Sequence, residues 1–143
     1  MTVAARRRIG GGIRKHLPRE ARVGVDLVEM SSFRSKFEGR DELLKEVFTA
    51  TEIGYARAQR RPWLHLAARF AAKEATFKAL GCGIAGVMGW RDVEVRRDEA
   101  GEPSLALSGE TARRAAARGL RRFAVSLTHG RQYAVAVVLA FGS

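Results

Sequence analysis

The stretch PWLHLAARFAAKEATFKALG, residues 62–81, constrains this chain more than any other part of it. It is rich in helix formers, opens on a proline suited to the first helical position and closes on a glycine suited to the residue past the last turn. Apolar residues at 63, 66, 67, 70, 77 and 80 recur near the helical period. The pattern predicts one helix of about five turns. Such a helix has to bury an apolar surface against other elements, and the flanking sequence supplies strands for it.

Residues 22–28, RVGVDLV, are short and β-branched, which predicts a strand. Residues 31–46 place Phe33, Phe37, Leu43 and Leu44, with Val47 following, at helical spacing, and Gly39 marks a break. Thr49 followed by Glu52 is a capping-box pattern that opens a short helix to about Arg57. Residues 81–86 form a glycine-rich loop. Residues 90–97 alternate Val93 and Val95 with charges and read as a strand, residues 98–103 as a turn and residues 104–107 as the returning strand. Ser108 is the expected cap of a helix to Arg118. Residues 123–128 and 133–141 are β-rich runs flanking His129 and Gly130. The predicted class is α+β, with a long central helix packed on an antiparallel sheet.

At 143 residues the chain fits one domain. Residues 1–21 read as a basic, glycine-punctuated extension and residues 22–143 as the folded domain. The net charge is +11, which favours anionic partners, and nucleic acid, acidic protein, phosphate-rich cofactor and anionic lipid all satisfy it. A single cysteine, Cys82, excludes an internal disulfide, and with three histidines it shows no zinc-ligand spacing. No apolar run approaches the ~20 residues of a membrane span, and no secretory h-region follows the N-terminal arginines. The expected location is the cytoplasm.

Four features carry potential chemistry. Asp26 interrupts an apolar strand; it is either a strand-end acid facing water or a ligand for a hard cation such as magnesium. Arg69, Lys73, Glu74 and Lys78 share the central helix, either as a solvated charged face or as charges gathered around a phosphate beside the glycine loop. That loop lacks the P-loop spacing, and a loop of this kind also simply ends a helix. His129, in the run SLTH, is either structural or a phosphate contact. Ser126 and His129 fall on opposite faces of an extended run, and no G-x-S-x-G elbow is present, so a serine-hydrolase triad is poorly supported.

Together these residues resemble the holo-acyl-carrier-protein synthases of the 4′-phosphopantetheinyl transferase superfamily. The helix motif R-F-A-A-K-E-A-x-x-K-A-L-G is reproduced from Arg69 to Gly81. Around it, in order, stand VGVDLVE at 23–29, Phe48-Thr49 with Glu52, Trp90-x-Asp92-x-Glu94, Gly101-x-Pro103 and Ser126-x-Thr-His129. Three departures stand out: the extension before the first strand, Arg22 where the family has glycine, and Ser32 where it often has arginine.

The resemblance implies the phosphopantetheinyl transferase fold and transfer of 4′-phosphopantetheine from coenzyme A to a serine of an apo acyl carrier protein. The by-product is adenosine 3′,5′-bisphosphate. It implies a magnesium ion held by Asp26 and Glu74, with Glu74, Lys78 and His129 as catalytic residues. Arg60, Arg61, Arg69, Lys78, Gly81, Gly83 and His129 are implied contacts of coenzyme A. Arg34, Lys36 and Arg40 are expected to meet an acidic carrier protein, and the implied assembly is a homotrimer with sites between subunits. Fatty-acid, polyketide and specialised pathways remain equally open. The competing readings are a basic nucleic-acid-binding module, which the 8% aromatic content supports poorly, and a non-catalytic relative that binds coenzyme A or carrier domains.

Overall fold

In a computed structural model the described residues are 21–81 and 89–142. The expectations for residues 1–20 and for Gly83 fall outside them. Strand β1 (Ala21–Glu29) leads into helices α1 (Met30–Phe37), α2 (Asp41–Val47), α3 (Ala50–Arg57) and α4 (Pro62–Ala79). A 3-10 turn (Trp90–Asp92), hairpin β2 (Val93–Arg97) and β3 (Pro103–Leu107), helix α5 (Gly109–Ala117) and strands β4 (Arg122–His129) and β5 (Tyr133–Phe141) follow.

Strand β5 is central in an antiparallel sheet of order β1-β5-β4, so β1 and β4 are its opposite edges. Helix α4 lies across one face. Close approach is possible because the contact is lined by small residues: Ala71, Ala72, Ala75 and Ala79 on the helix, and Ala134, Ala136 and Ala140 on β5, all buried. Gly24 on β1 touches the helix backbone itself; a Cβ there would lie 1.8 Å from the Ala75 carbonyl oxygen. On the other side of α4, Phe33, Phe37, Phe48 and Phe70 pack ring against ring, and Trp90 stacks on Phe70 at 5.0 Å.

Proline at the start of α4 and Gly81, with φ +70°, at its end act as the sequence predicts. The capping box is formed: Glu52 N donates to Thr49 Oγ1 at 3.2 Å and Thr49 N to Glu52 Oε1 at 3.0 Å. Two expectations change. Trp90–Asp92 is a 3-10 turn rather than the first residues of a strand. Ser108 sits at the N-cap of α5 without a side-chain cap bond. Asp92 explains both, because its carboxylate turns back to accept from Thr111 N at 3.3 Å and Thr111 Oγ1 at 3.1 Å.

The charges of α4 do not form one solvated face. Lys73 is fully buried, and its Nζ donates to Glu52 Oε1 at 2.7 Å, to the Trp90 carbonyl at 3.2 Å and to the Val93 carbonyl. Glu52 Oε2 accepts from Val95 N at 3.1 Å, so one ion pair ties α3, α4 and β2 together. Removing the cation leaves a buried carboxylate uncompensated. Lys73→Met is therefore expected to lower stability by about 3–5 kcal/mol in chemical denaturation, and an unchanged midpoint would show that this pair holds nothing together.

Candidate active site

Strand β1 alternates, and the face it turns toward α4 carries Gly24, Asp26 and Val28. Asp26 is thus 8% exposed despite its charge. Lys78, in the last turn of α4, leans over the strand edge. Its Nζ donates to Asp26 Oδ1 at 2.9 Å and to the Val25 carbonyl at 3.1 Å. Asp26 Oδ2 is buried and receives no hydrogen bond.

Glu74, one turn before Lys78, stands against the Asp26 carboxylate. Its pKa is pushed up to about 7, first by burial and then by Asp26, which lies within hydrogen-bonding reach. Lys78 and Lys36 pull it the other way. A protonated Glu74 can donate a hydrogen bond to the Asp26 carboxylate; an ionised one only adds repulsion. Two crowded carboxylates, one with an unused oxygen, are a donor set suited to a hard divalent cation. Among the described residues no group of three or more His, Cys, Asp or Glu could hold a metal. Two carboxylates leave the other positions to water and phosphate oxygens, as magnesium usually has them.

His129 is not part of this cluster. It lies at the end of β4, the opposite edge of the sheet, where its ring meets His65 at 5.3 Å between centroids. His65 packs on Tyr55, and the Arg69 guanidinium lies 4.2 Å from the centre of the same Tyr55 ring. Arg97 approaches that ring from further off, at 5.9 Å. Arg69 is 1% exposed, and the Nε atoms of Arg69 and Arg97 are buried without a hydrogen-bond partner. Burial lowers the pKa of His65, and His129, Arg69 and Arg97 lower it further. The cluster is short of negative charge and suits an anion. His65 and Glu74 are nine residues apart on the helix, roughly 13 Å along its axis, and they project from opposite sides of it.

Arg60 and Arg61 form a third cationic group. With Arg34, Arg131 and Trp63 they line a cavity of about 480 Å³ at the start of α4. Arg34 also pairs with Glu38 at 3.1 Å. Lys36 lies close enough to Glu74 to favour its ionised form, whereas Arg40 borders a separate open hollow with Asp41 and Glu42. Gly81 ends α4 one turn beyond Lys78. No motif or spacing pointed to Arg97 or Arg131. His65 was detectable, since it precedes Arg69 by four residues and so shares its helix face.

The model of the 4′-phosphopantetheinyl transferase superfamily matches residues 22–138. The chain belongs to this superfamily. Two relatives of this phosphopantetheinyl transferase are holo-[acyl-carrier-protein] synthases. That of Desulforudis audaxviator is 46% identical over 123 residues, covering 84% of this chain and 92% of the relative. That of Moorella thermoacetica is 41% identical over 120 residues, covering 84% and 93%. The fold matches the ACPS–CoA complex of Chronobacterium ammoniagenes with a TM-score of 0.77 at 28% identity, over 87% of this chain and 99% of that one. It matches the holo-(acyl-carrier-protein) synthase of Bacillus anthracis in complex with CoA (3′,5′-ADP) with a TM-score of 0.70 at 31% identity, over 85% and 96%. Among the described residues no helix is long and apolar enough to cross a membrane.

Proposed function

We propose that this phosphopantetheinyl transferase moves the phosphopantetheine arm of coenzyme A onto a serine of an acidic apo acyl carrier protein, at a site built on Asp26, Glu74 and Lys78. The observation that carries the assignment of the site is a buried carboxylate and a half-buried one crowded together beside a half-exposed lysine. Asp26 and Glu74 would hold magnesium, which neutralises the pyrophosphate and so lets an oxygen nucleophile approach it. The serine hydroxyl gives up its proton to Glu74 or to water as its Oγ forms a bond to the phosphorus that carries the pantetheine. The bond from that phosphorus to the bridging oxygen breaks, and adenosine 3′,5′-bisphosphate leaves. Lys78 Nζ balances the charge on the departing oxygen and gives it a proton.

The second cluster takes the 3′-phosphate in this reading, with Arg69 and His129 joined by His65 and Arg97. Arg60 and Arg61 hold the nucleotide end through their cavity, and Gly81 leaves room at the helix terminus. Arg34, Lys36 and Arg40 meet the carrier protein beside the entrance.

Because the two clusters occupy opposite edges of one sheet, the reading also requires neighbouring subunits to complete each other's sites. The outer face of the sheet supports this. Val23, Val25 and Leu27 are each more than half exposed, and their partners across β5 are Leu139, Val137 and Val135. Tyr133, Val137 and Leu139 are also exposed on that face. A continuous apolar sheet surface of this kind needs a cover, and a homotrimer provides one with closed symmetry. Placing lysine at Val25 and Leu27 together is expected to give a folded monomer without transferase activity; light scattering that still finds three chains, or a fully active monomer, would refute the composite site.

The reaction is tested by mass spectrometry of an apo carrier protein incubated with coenzyme A, magnesium and this protein. The expected product is heavier by one phosphopantetheine. An unmodified carrier, across acidic carrier proteins from fatty-acid and polyketide systems, would refute the reading.

A further inference from the structure

The contact between β1 and α4 is built for closeness and not for grip. Gly24 lies against the backbone of Ala75 and Ala79, and the neighbouring strand adds Ala134, Ala136 and Ala140. Small side chains let the backbones approach, but they raise few ridges to interlock, so they resist a slide or a turn of the helix on the sheet only weakly. Register along such a contact has to come from directional bonds.

Two cations supply them. Lys78 Nζ donates to the Val25 carbonyl at 3.1 Å and to Asp26 Oδ1 at 2.9 Å. Arg22 continues the inner face of β1, two residues before Gly24, and its Nε donates to the Ala79 carbonyl at 2.7 Å. Ala79 directly follows Lys78 and ends α4, where carbonyls lack partners within the helix and the helix end is negative. Arg118, just past α5, comes to the same place: a Cβ on Gly81 would lie 2.9 Å from Arg22 Nη2 and 3.1 Å from Arg118 Nη1. The two ties between strand and helix are not equivalent. Lys78 is half-exposed and serves the departing phosphate in the transferase reading, so the reaction draws on its bonds to β1. Arg22 is free of that task.

We infer that Arg22 is a positioning residue for the transfer. It fixes the last turn of α4 against β1, so that Lys78 keeps its place when its ammonium turns from Asp26 to the substrate. The inference rests on the transferase reading above and adds a residue that acts through Lys78. Arg22 is also a departure from the family pattern, which has glycine there, so this latch is particular to the chain and lies outside the motif. A catalytic group displaced by about 1 Å loses about a hundredfold in rate, so a loose last turn has a large effect without any loss of contacts to substrate.

The test compares two variants in the full chain. Arg22→Met keeps the stem and removes the guanidinium; Arg22→Lys keeps a cation at the helix end but not the fork. Well below the melting temperature of each variant, with coenzyme A and carrier protein saturating, kcat should fall about tenfold or more in Arg22→Met and about threefold in Arg22→Lys. Both KM values should stay within about twofold of wild type. In a Lys78→Met background Arg22→Met should add no further loss, whereas a role in general stability would slow both backgrounds alike. Hydrogen exchange reads the same effect apart from activity. The amides of Leu80 and Gly81, which donate to the Thr76 and Lys78 carbonyls, should exchange faster in Arg22→Met, and those of Ala71 and Ala72 should not. Wild-type kcat in whichever variant folds overturns the inference. So does an equal loss in the Lys78→Met background, a change confined to KM, or unaltered exchange at Leu80 and Gly81. Failure of the transferase reading is distinguishable, because wild type and both variants would then leave every carrier unmodified alike.

Discussion

Glu74→Gln is expected to lower phosphopantetheine transfer by about a thousandfold or more, equivalent to about 4 kcal/mol of transition-state stabilisation, in a protein that stays folded. The amide keeps the shape of the side chain but loses the charge that a divalent cation needs. Stability should move the opposite way. The folded-state pKa of Glu74, about 7, lies above its ordinary 4.5, so between these values the folded protein keeps a proton that the unfolded chain has released. The contribution of Glu74 to stability is thus fully present below about 4.5 and is lost as pH rises through about 7. Above that pH, without metal, an ionised Glu74 repels Asp26. Glutamine removes the repulsion and can offer an N–H to the Asp26 carboxylate. At pH 8 in chelator the variant should melt at or above the wild-type temperature. Magnesium uptake at neutral pH should release protons from wild type and not from the variant, measured by calorimetry in two buffers of different ionisation enthalpy. Full activity in Glu74→Gln would remove this side chain from the metal site.

The sequence made α4 and the capping box legible because both depend on residues near each other in the chain. The orientation of β1 was harder. In VGVDLV the alternate residues Val23, Val25 and Leu27 are the apolar set, and period-two reasoning turns them to the core and Asp26 to water. The protein does the reverse. Gly24 and Asp26 face α4, where small side chains leave space and Lys78 supplies a cation, and the apolar set is left on the outer face. The proposed trimer accounts for that inversion by covering the outer face with other subunits, which no local pattern records. The division of the α4 charges was hidden for a related reason. Arg69, Lys73, Glu74 and Lys78 look alike as surface charges, yet burial depends on what α3 and β2 bring to each: a tyrosine ring for Arg69, Glu52 for Lys73. The position of His129 relative to Glu74 was equally illegible, since it depends on strand order and not on spacing.

Gly24→Ala tests whether the approach of β1 to α4 is what assembles the carboxylate pair. Glycine is not needed here for its backbone angles; among the described residues the positive-φ glycines are Gly39, Gly81, Gly101, Gly109 and Gly119. It is needed for space. The added Cβ would lie 1.8 Å from the Ala75 carbonyl oxygen and 2.8 Å from Ala79 N, and these are backbone atoms of a hydrogen-bonded helix that cannot rotate aside. The strand must move outward instead. Overpacking against such a wall belongs at or above the upper end of the usual range, about 3 kcal/mol, which corresponds to a fall in Tm of roughly 10 °C for a chain of this size. The displaced strand carries Asp26, two residues on, away from Glu74 and Lys78. Transfer activity measured well below the melting temperature should therefore fall far more than the unfolded fraction accounts for. Gly54→Ala is the control: nothing lies within 4 Å of a Cβ there, and the residue is inside α3, so alanine should stabilise by up to about 1 kcal/mol. A Gly24→Ala protein with the wild-type melting temperature and full activity would show that β1 and α4 tolerate a wider spacing, and that the site does not depend on how closely they pack.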